Sequence, residues 1–198
     1  MKLLLPIFLL LGLTGCSSIQ RGGLVDENIL LKLPIPGSGW TNQSGEKGDD
    51  SIMIWQKNDE WFKITISHVR FRPEPGRFRA GMDAAATENF TTSFESKELK
   101  EGLVNNYQMI LWQTEATLKS GAKTVNLFLY IKGNDATYLV NRRWIHLQVP
   151  DAERQQWIDY MSTISICDNR YPEHQSPKME QAWPGLYYET NSINGVSK

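Results

Sequence analysis

The stretch that decides the fold runs from Val125 to Leu147 and has the sequence VNLFLYIKGNDATYLVNRRWIHL. In its first half, apolar side chains recur at every second position, which is the period of a β-strand with one face in a core. These side chains are Val125, Leu127, Leu129 and Ile131. Gly133-Asn134-Asp135 supplies residues typical of a turn, and a second strand is predicted from Ala136 to Leu147. The stretch therefore predicts two antiparallel strands joined by a turn.

The chain upstream of this hairpin shows the strand period again and then a helical one. A strand is predicted from Trp61 to Phe71, with alternate side chains on one face. The side chains on that face are Phe62, Ile64, Ile66 and His68. From Arg77 to Glu95, apolar residues recur every four positions and predict a helix with one apolar stripe. The residues of this stripe are Phe78, Met82, Ala86, Phe90 and Phe94.

A second helix is predicted to begin at Pro150-Asp151. Asp151 is a good N-cap, because its carboxylate can accept amide hydrogens of the first turn. The buried stripe of this helix consists of Trp157, Ile158, Met161 and Ile164. After Cys167 the period ends, and residues 169–198 hold three prolines and many polar residues. This segment is therefore predicted to be an irregular tail.

These elements predict an α+β fold made of a single antiparallel sheet of about six strands with two flanking helices. The predicted strands are residues 29–33, 51–56, 61–71, 107–118, 125–131 and 136–147. The polar, glycine-containing residues 41–50 are predicted to form a loop. The predicted organisation is a cleaved signal peptide (1–15), a tether (16–28), the α+β domain (29–168) and the irregular tail (169–198).

The first residues are typical of an exported protein. Met1-Lys2 is followed by the apolar run Leu3–Leu13, which as a helix would be about 16 Å long, against a hydrocarbon core of about 30 Å. The run is therefore a signal sequence and not an anchor helix. Leu13-Thr14-Gly15-Cys16 resembles the lipobox of bacterial lipoproteins. The resemblance implies cleavage before Cys16, acylation of that residue and anchoring by acyl chains. Ser17, in place of Asp, favours export to the outer membrane.

The region from Ile29 to Cys167 resembles, at the level of pattern, the PsbP/Mog1-like fold found in small bacterial envelope lipoproteins. Gly39-Trp40 after the first strand, a long helix in mid-chain and an aromatic-bearing terminal helix carry this resemblance. It implies a fold whose known functions are mostly non-enzymatic binding or accessory roles.

Charge and motifs exclude several classes of function. Lys and Arg number 21 and Asp and Glu 22, so the basic surplus of nucleic-acid-binding proteins is absent. The sequence has no G-x-S-x-G, no H-E-x-x-H, no P-loop and no Rossmann glycine pattern. The three histidines (His68, His146 and His174) have no metal-ligand spacing and are expected to be partly buried and hydrogen-bonded. We therefore expect no metal, no small-molecule cofactor, no nucleic acid and no enzymatic activity. A glycosidase pair of carboxylates stays open, because its members meet only in the fold.

Cysteine usage adds one expectation. The chain has two cysteines, so acylation of Cys16 leaves Cys167 without an intrachain partner. Cys167 ends an apolar helical pattern and is expected to be a buried, inert thiol.

Arginines around one loop form the first candidate site. They are Arg70, Arg72, Arg77 and Arg79, interleaved with aromatic residues, while Arg142-Arg143 lies on a strand elsewhere. Guanidinium groups suit phosphate or carboxylate groups, so the four are a candidate anionic-ligand patch. The alternative is a set of solvated arginines that pair with nearby acids such as Glu74 and Asp83.

Aromatic residues in the tail form the second candidate site. They are Trp183, Tyr187 and Tyr188, with Leu186 beside them. They are candidates for docking on an envelope protein, because aromatic side chains dominate interface hot spots. The alternatives are a tail that folds back on its own domain and a loose extension.

The sequence thus predicts a lipid-anchored, periplasm-facing protein of the cell envelope, held in the inner leaflet of the outer membrane. Its predicted role is that of a non-enzymatic binding or accessory subunit of an envelope assembly, with the membrane and an envelope protein as partners. The alternatives are an immunity-type lipoprotein against a periplasmic toxin and a cell-wall-directed enzyme.

Overall fold

The computed structural model describes residues 26–32, 35–47, 50–89, 91–145, 148–174, 179–183 and 186–189. The strands in these residues are β1 (Glu27–Lys32), β2 (Thr41–Lys47), β3 (Asp50–Lys57), β4 (Glu60–Ser67), β5 (Thr91–Val104), β6 (Tyr107–Leu118), β7 (Lys123–Lys132), β8 (Thr137–Ile145), β9 (Ser165–Asp168), β10 (Met179–Trp183) and β11 (Leu186–Glu189). The helices are α1 (Pro75–Asn89), α2 (Asp151–Met161) and a short 3-10 helix (Pro172–His174). None of these helices is long and apolar enough to cross a membrane.

Seven antiparallel strands form the main sheet, in the order β2-β3-β4-β8-β7-β6-β5. The predicted hairpin lies near its centre, where β7 pairs with β8 and Leu129 lies opposite Val140. Both side chains are fully buried, because β-branched and apolar residues at alternate positions give one face to the core. Two helices and a mostly antiparallel sheet confirm the predicted α+β class.

The main sheet has two covered faces. One face packs with α2, β1 and β9 into the principal core, which includes Ile64, Leu129 and Trp157. The other face lies under α1, where Phe78 and Met82 pack against a smaller buried cluster. That cluster consists of Ile110, Trp112 and Tyr130. The side of a strand on which a residue lies therefore decides whether it faces the principal core or α1.

A second sheet of four strands, in the order β10-β11-β1-β9, was not predicted. Within it, β11 runs parallel to β1, and Ile29 lies opposite Leu186. The prediction of an irregular segment at residues 169–198 is therefore wrong for β10, β11 and the short 3-10 helix. These strands have four or five residues, too few to show a period, and parallel pairing with a strand far away in the chain leaves no local signal.

The boundary between tether and domain also differs from the prediction. Glu27 and Asn28 are buried and belong to β1, not to a flexible tether. The carboxylate of Glu27 accepts hydrogen bonds from the backbone N–H groups of Asn134 and Asp135, at 2.7 and 2.8 Å, in the turn between β7 and β8. A Cβ on Gly133 would collide with this carboxylate, so the turn requires glycine.

Two local predictions near β2 and α1 are wrong. Residues 41–47 form the edge strand β2 and not a loop, because backbone pairing with β3 outweighs their polar, glycine-containing composition. The predicted helix 77–95 ends at Asn89 and is followed by the 14-residue strand β5. The four-residue spacing of Phe90 and Phe94 continued the helical pattern, although β-branched Thr91-Thr92 marks the change to a strand.

Two single-residue predictions are also wrong. Strand β4 ends at Ser67, so His68 is exposed beyond the strand and does not share its buried face. Asp151 is the first residue of α2 and not its N-cap, which is Pro150 and makes no side-chain hydrogen bond to the helix. The acidic groups of Asp151 and Glu153 still lie in the first turn, where the helix dipole favours negative charge.

A buried arginine, Arg142, lies among carboxylates and aromatic rings beside the principal core. Arg142 is 1% exposed and forms ion pairs with Glu60 and, at 3.4 Å, with Glu153. The indole rings around its guanidinium carbon are those of Trp144, Trp157 and Trp40, at 4.0, 4.9 and 5.0 Å. Trp40 belongs to the Gly39-Trp40 pair quoted above for the family resemblance, and its ring is one of the three around the guanidinium group.

Candidate binding site

A cavity of about 580 Å³ lies between α1 and the face of the main sheet that this helix covers. Its lining comes from α1 and from strands β5 to β8 and is apolar over one part and polar over another. The apolar lining includes Met82, Ala86, Phe94, Leu118 and Phe128. Small-molecule sites in proteins have volumes of about 300–1,000 Å³, mostly apolar walls and a few placed polar groups, so this cavity has the form of a ligand site.

The N-terminal half of α1 is fixed to the sheet beside the cavity. The ring of Phe78 stacks on Tyr130 with centroids 4.0 Å apart and planes 10° from parallel. The hydroxyl of Tyr130 donates a hydrogen bond of 2.9 Å to the carbonyl of Pro73, just before the helix, and burial raises its pKa to about 12. Met82 and Ala86 follow one and two turns later on the same helix face and reach the cavity.

A single arginine supplies the positive charge on the strand side of the cavity. Arg143 of β8 lines it, and its guanidinium carbon lies 4.5 Å from the centre of the Trp61 ring. Burial lowers the pKa of Arg143. Within the described part of the chain, no carboxylate forms an ion pair with it, and its buried Nε has no hydrogen-bond partner. Arg143 is therefore a partly desolvated cation that has no carboxylate partner among the residues that the structure describes.

The polar groups around Arg143 are held in place. The side-chain oxygen of Asn141 accepts a hydrogen bond of 3.0 Å from Trp61 Nε1, and its amide donates one of 3.2 Å to the carbonyl of Leu127. Asp83 also lines the cavity, but it forms an ion pair of 3.5 Å with Arg79 on the same helix. The acid on the lining is thus already neutralised, which leaves Arg143 to meet an incoming anion.

The structure separates the four arginines that the sequence grouped. Arg79 binds Asp83, Glu98 and Ser96, while Arg72 donates to the carbonyl of Asn134 in the turn between β7 and β8. Arg77 lies over the ring of Phe71, with the guanidinium carbon 5.8 Å from its centre, and Arg70 is exposed. The expected pairing of an arginine with Asp83 occurs, whereas Glu74 pairs with Lys132 and not with an arginine. The anionic-ligand patch at these four residues stays a prediction.

A second, smaller cavity of about 330 Å³ lies near a buried polar cluster at the other end of the strands. There, Tyr107 donates to Asp168, and Arg170 pairs with the same carboxylate at 2.8 Å. Burial acts to raise the pKa of Asp168, but the hydrogen bonds from Arg170 and Tyr107 outweigh it and lower the pKa. Burial raises the pKa of the neighbouring Glu27, although backbone hydrogen bonds oppose this. Each of these groups has a partner inside the protein, so the cluster acts in stabilising β1 and β9 against the main sheet.

The tail residues predicted to dock on a partner lie in strands. Trp183 belongs to β10, and Leu186, Tyr187 and Tyr188 belong to β11, whose backbone pairs with β1. Their side chains lie outside the described part of the structure, so partner docking by these residues stays a prediction.

The remaining candidates from the sequence are histidines and cysteines, and only some of them lie in the described residues. His174 is buried, whereas His146 lies outside the described residues. Among the described residues, no three His, Cys, Asp or Glu side chains form a group able to hold a metal ion. Cys167 is fully buried, as expected. Cys16, the predicted lipidation site, lies outside the described residues.

Arg143 is the site residue that sequence reasoning did not single out. Its neighbour Arg142 faces the principal core, and the strand period of two places Arg143 on the opposite face, under α1. The sequence did show a pair of arginines inside an otherwise apolar strand. It did not show which element covers each face of that strand.

Comparisons with known proteins give little beyond this geometry. No protein-family model matches the chain, and no curated protein matches it. One similar solved structure is that of LpqN, described as involved in cell envelope biogenesis of Mycobacterium tuberculosis. It is 11% identical, with a TM-score of 0.35, and the match covers 71% of this chain and 90% of that one. A likeness at this level assigns neither a fold family nor a function to this chain, and the resemblance to the PsbP/Mog1-like fold stays a prediction.

Proposed function

We propose that this chain is a lipid-anchored protein of the bacterial cell envelope whose domain binds a ligand in the cavity between α1 and the main sheet. Binding, without chemical change of the ligand, is the role that the lining favours. The observation that carries the proposal is the cavity itself, with an apolar wall and a partly buried cation, Arg143, that has no ion-pair partner among the described residues.

The chemistry of the lining supports binding over catalysis. The titratable side chains among the lining residues are Asp83, Lys119 and Arg143, and Asp83 is held in an ion pair. General acid–base catalysis uses a positioned side chain that takes or gives a proton at the substrate, whereas Asp83, the carboxylate among these lining residues, already binds Arg79. The lining offers hydroxyl and amide groups beside an apolar wall, and such groups orient a ligand.

The anchor is proposed from the lipobox at Leu13-Thr14-Gly15-Cys16. One acyl chain alone binds a membrane only marginally, whereas several together anchor stably. With Ser17 after the acylated residue, the proposed location is the periplasmic side of the outer membrane. There the protein acts as an accessory subunit beside an envelope protein partner.

The cavity is tested by a variant that fills it. Ala86 lines the cavity, whereas Ala84 is exposed on the same helix outside it, so Ala86→Trp blocks the cavity and Ala84→Trp is the matched control. The full chain is purified from its own membrane and examined by native mass spectrometry for bound small molecules. The proposal predicts a bound molecule in the wild type and in Ala84→Trp, and its loss in Ala86→Trp. Equal occupancy of all three proteins, or occupancy of none, contradicts it.

The same preparation separates the proposal from its alternatives. An immunity-type lipoprotein would bind a protein toxin equally well in both variants. A cell-wall-directed enzyme would release fragments from purified cell wall, and Ala86→Trp would stop that release.

The anchor is tested separately by mass spectrometry of the intact protein purified from its own membrane. The proposal predicts that the mature protein begins at Cys16 and carries the added mass of its acyl chains. It also predicts that Cys16→Ser is neither cut nor acylated at that site. A mature protein without this added mass contradicts the anchor.

A further inference from the structure

We infer that the ligand of the α1 cavity is an acyl amphiphile with an anionic head, whose head binds Arg143 and whose chain lies against Met82 and Phe128. This inference rests on the proposed function and adds the chemical class of the ligand. Two sources share this chemistry, a free fatty acid with a carboxylate and a phospholipid with a phosphate, and the experiment below distinguishes them.

The charge of the site favours an anion. A desolvated guanidinium is costly unless an anion or acceptor compensates it. Neighbouring strand positions show the difference, because Arg142 is neutralised by Glu60 whereas Arg143 has no ion-pair partner in the described residues. A carboxylate or phosphate presents two oxygens to the planar fork of an arginine, and this geometry makes the pair strong and directional.

The arginine is held where a head group can meet it. The ring of Trp61 supports one side of the guanidinium at 4.5 Å, and Trp61 itself is fixed by its hydrogen bond to Asn141. Pre-orientation reduces the entropy lost on binding. Lys119 at another part of the lining is a second cation on the same cavity.

The remaining surface of the cavity favours an acyl chain. Met82 and Ala86 of α1 face Phe94, Leu118 and Phe128 of the sheet across the cavity. These side chains offer dispersion contacts and no charge, and burial of each methylene group of a chain is favourable. Methionine adapts its shape easily, which suits a flexible chain. A small hydrophilic anion would leave this wall in contact with water and is therefore not favoured.

The experiment uses photoreactive probes on the full chain in phosphatidylcholine vesicles. Three probes carry the same diazirine-bearing hexadecyl or hexadecanoyl chain: palmitic acid, hexadecanol and phosphatidylglycerol. Crosslinked peptides are mapped by mass spectrometry, and labelling of the segments 82–94 and 114–128 measures occupancy of the cavity. The variants are Arg143→Gln, Arg143→Lys and Ala86→Trp, and Lys97→Gln is the matched control because Lys97 is exposed on β5 outside the cavity.

The inference predicts that at least one anionic probe labels these segments about tenfold more strongly than hexadecanol does. Arg143→Gln lowers this labelling about tenfold, Arg143→Lys keeps more than half of it, and Lys97→Gln leaves it within twofold. Labelling by palmitic acid alone identifies a carboxylate head, and labelling by phosphatidylglycerol identifies a phosphate head. A denaturation midpoint measured for each variant shows that the loss of labelling is not a loss of folding.

Two results overturn the inference in different ways. In the first, hexadecanol labels the cavity as strongly as the anionic probes, Arg143→Gln leaves the labelling unchanged, and Ala86→Trp abolishes it. The ligand is then not anionic, but the proposed function of the cavity stands. If Ala86→Trp leaves all labelling unchanged, the cavity is not the binding site and the proposed function fails as well.

Discussion

Arg142 and Arg143 are adjacent, yet the structure assigns them opposite roles, and replacing each by methionine tests that assignment. Arg142 is 1% exposed, lies among three indole rings and is paired with two carboxylates. Arg143 is partly buried, lines the cavity and has one aromatic neighbour, Trp61. Methionine has a similar length and can fill the space of either side chain without charge.

The expected cost of Arg142→Met follows from its partners. Removing one member of a buried ion pair costs about 3–5 kcal/mol, because the other charge is left unpaired. Here the remaining carboxylates keep access to water, since the side chains of Glu60 and Glu153 are 17% and 40% exposed. Their rehydration places the loss near the lower end, at about 3 kcal/mol, and this value includes the lost cation–π contacts.

The expected effect of Arg143→Met is much smaller. Its contact with Trp61 contributes about 0.5–1 kcal/mol. That loss is offset because the variant no longer desolvates a cation that has no carboxylate partner among the described residues. We therefore expect a change within about 1 kcal/mol in either direction.

The assay is urea unfolding of the purified protein, followed by tryptophan fluorescence and by circular dichroism. A shift in midpoint at unchanged slope reports a change in the free energy of unfolding. The double variant of Arg142→Met with Glu60→Gln should cost less than the sum of the single changes, because the two side chains interact. Equal costs for Arg142→Met and Arg143→Met, or a cost below about 1 kcal/mol for Arg142→Met, would refute the reasoning.

Three further predictions concern the sheets. Leu129→Ala and Ile64→Ala each remove a fully buried side chain and should lower the free energy of unfolding by about 2–5 kcal/mol; a change of a few tenths would show that the core face is misplaced. Gly133→Ala forces a collision with the carboxylate of Glu27 and should lower the free energy of unfolding by more than 1 kcal/mol, as overpacking does. The control Gly45→Ala places its methyl group in open space and should cost about 0.5 kcal/mol or less. Equal effects of the two variants in thermal unfolding would contradict the turn geometry. Deletion after His174 keeps the Arg170–Asp168 pair but removes β10 and β11 and leaves one edge of β1 unpaired, so it should lower the melting temperature by several degrees; an unchanged melting temperature would mean that these strands do not stabilise the domain.

The parts of the fold that were predicted are those with a strong local period. Strands β7 and β8 alternate over nine or ten residues, and α2 buries Trp157 and Met161 at helical spacing, so each could be recognised alone. Strand β5 could not, because nine of its 14 residues are exposed, five of them charged, and its pairing with β6 comes from the backbone. The four-residue strands of the second sheet are formed by pairing with β1, which no local pattern encodes.

The candidate binding site was only partly predictable from the sequence for a related reason. The strand period separates Arg142 from Arg143, but it does not indicate which face lies under α2 and which under α1. The four arginines near residue 75 looked like one patch because they are close in the chain. In the fold, Arg79 points to β5 and Arg72 to the turn after β7, since the helix and the preceding loop carry them apart.

We propose that the cavity between α1 and the main sheet holds an anionic amphiphile in the cell envelope. The most direct measurement is a crystal structure of the protein purified from its own membrane without exchange of bound lipid. We expect elongated electron density in the cavity, with its polar end within hydrogen-bond distance of Arg143 and its chain between Met82 and Phe128. A cavity that contains only water, or one closed by α1 packed against Phe128, would contradict it.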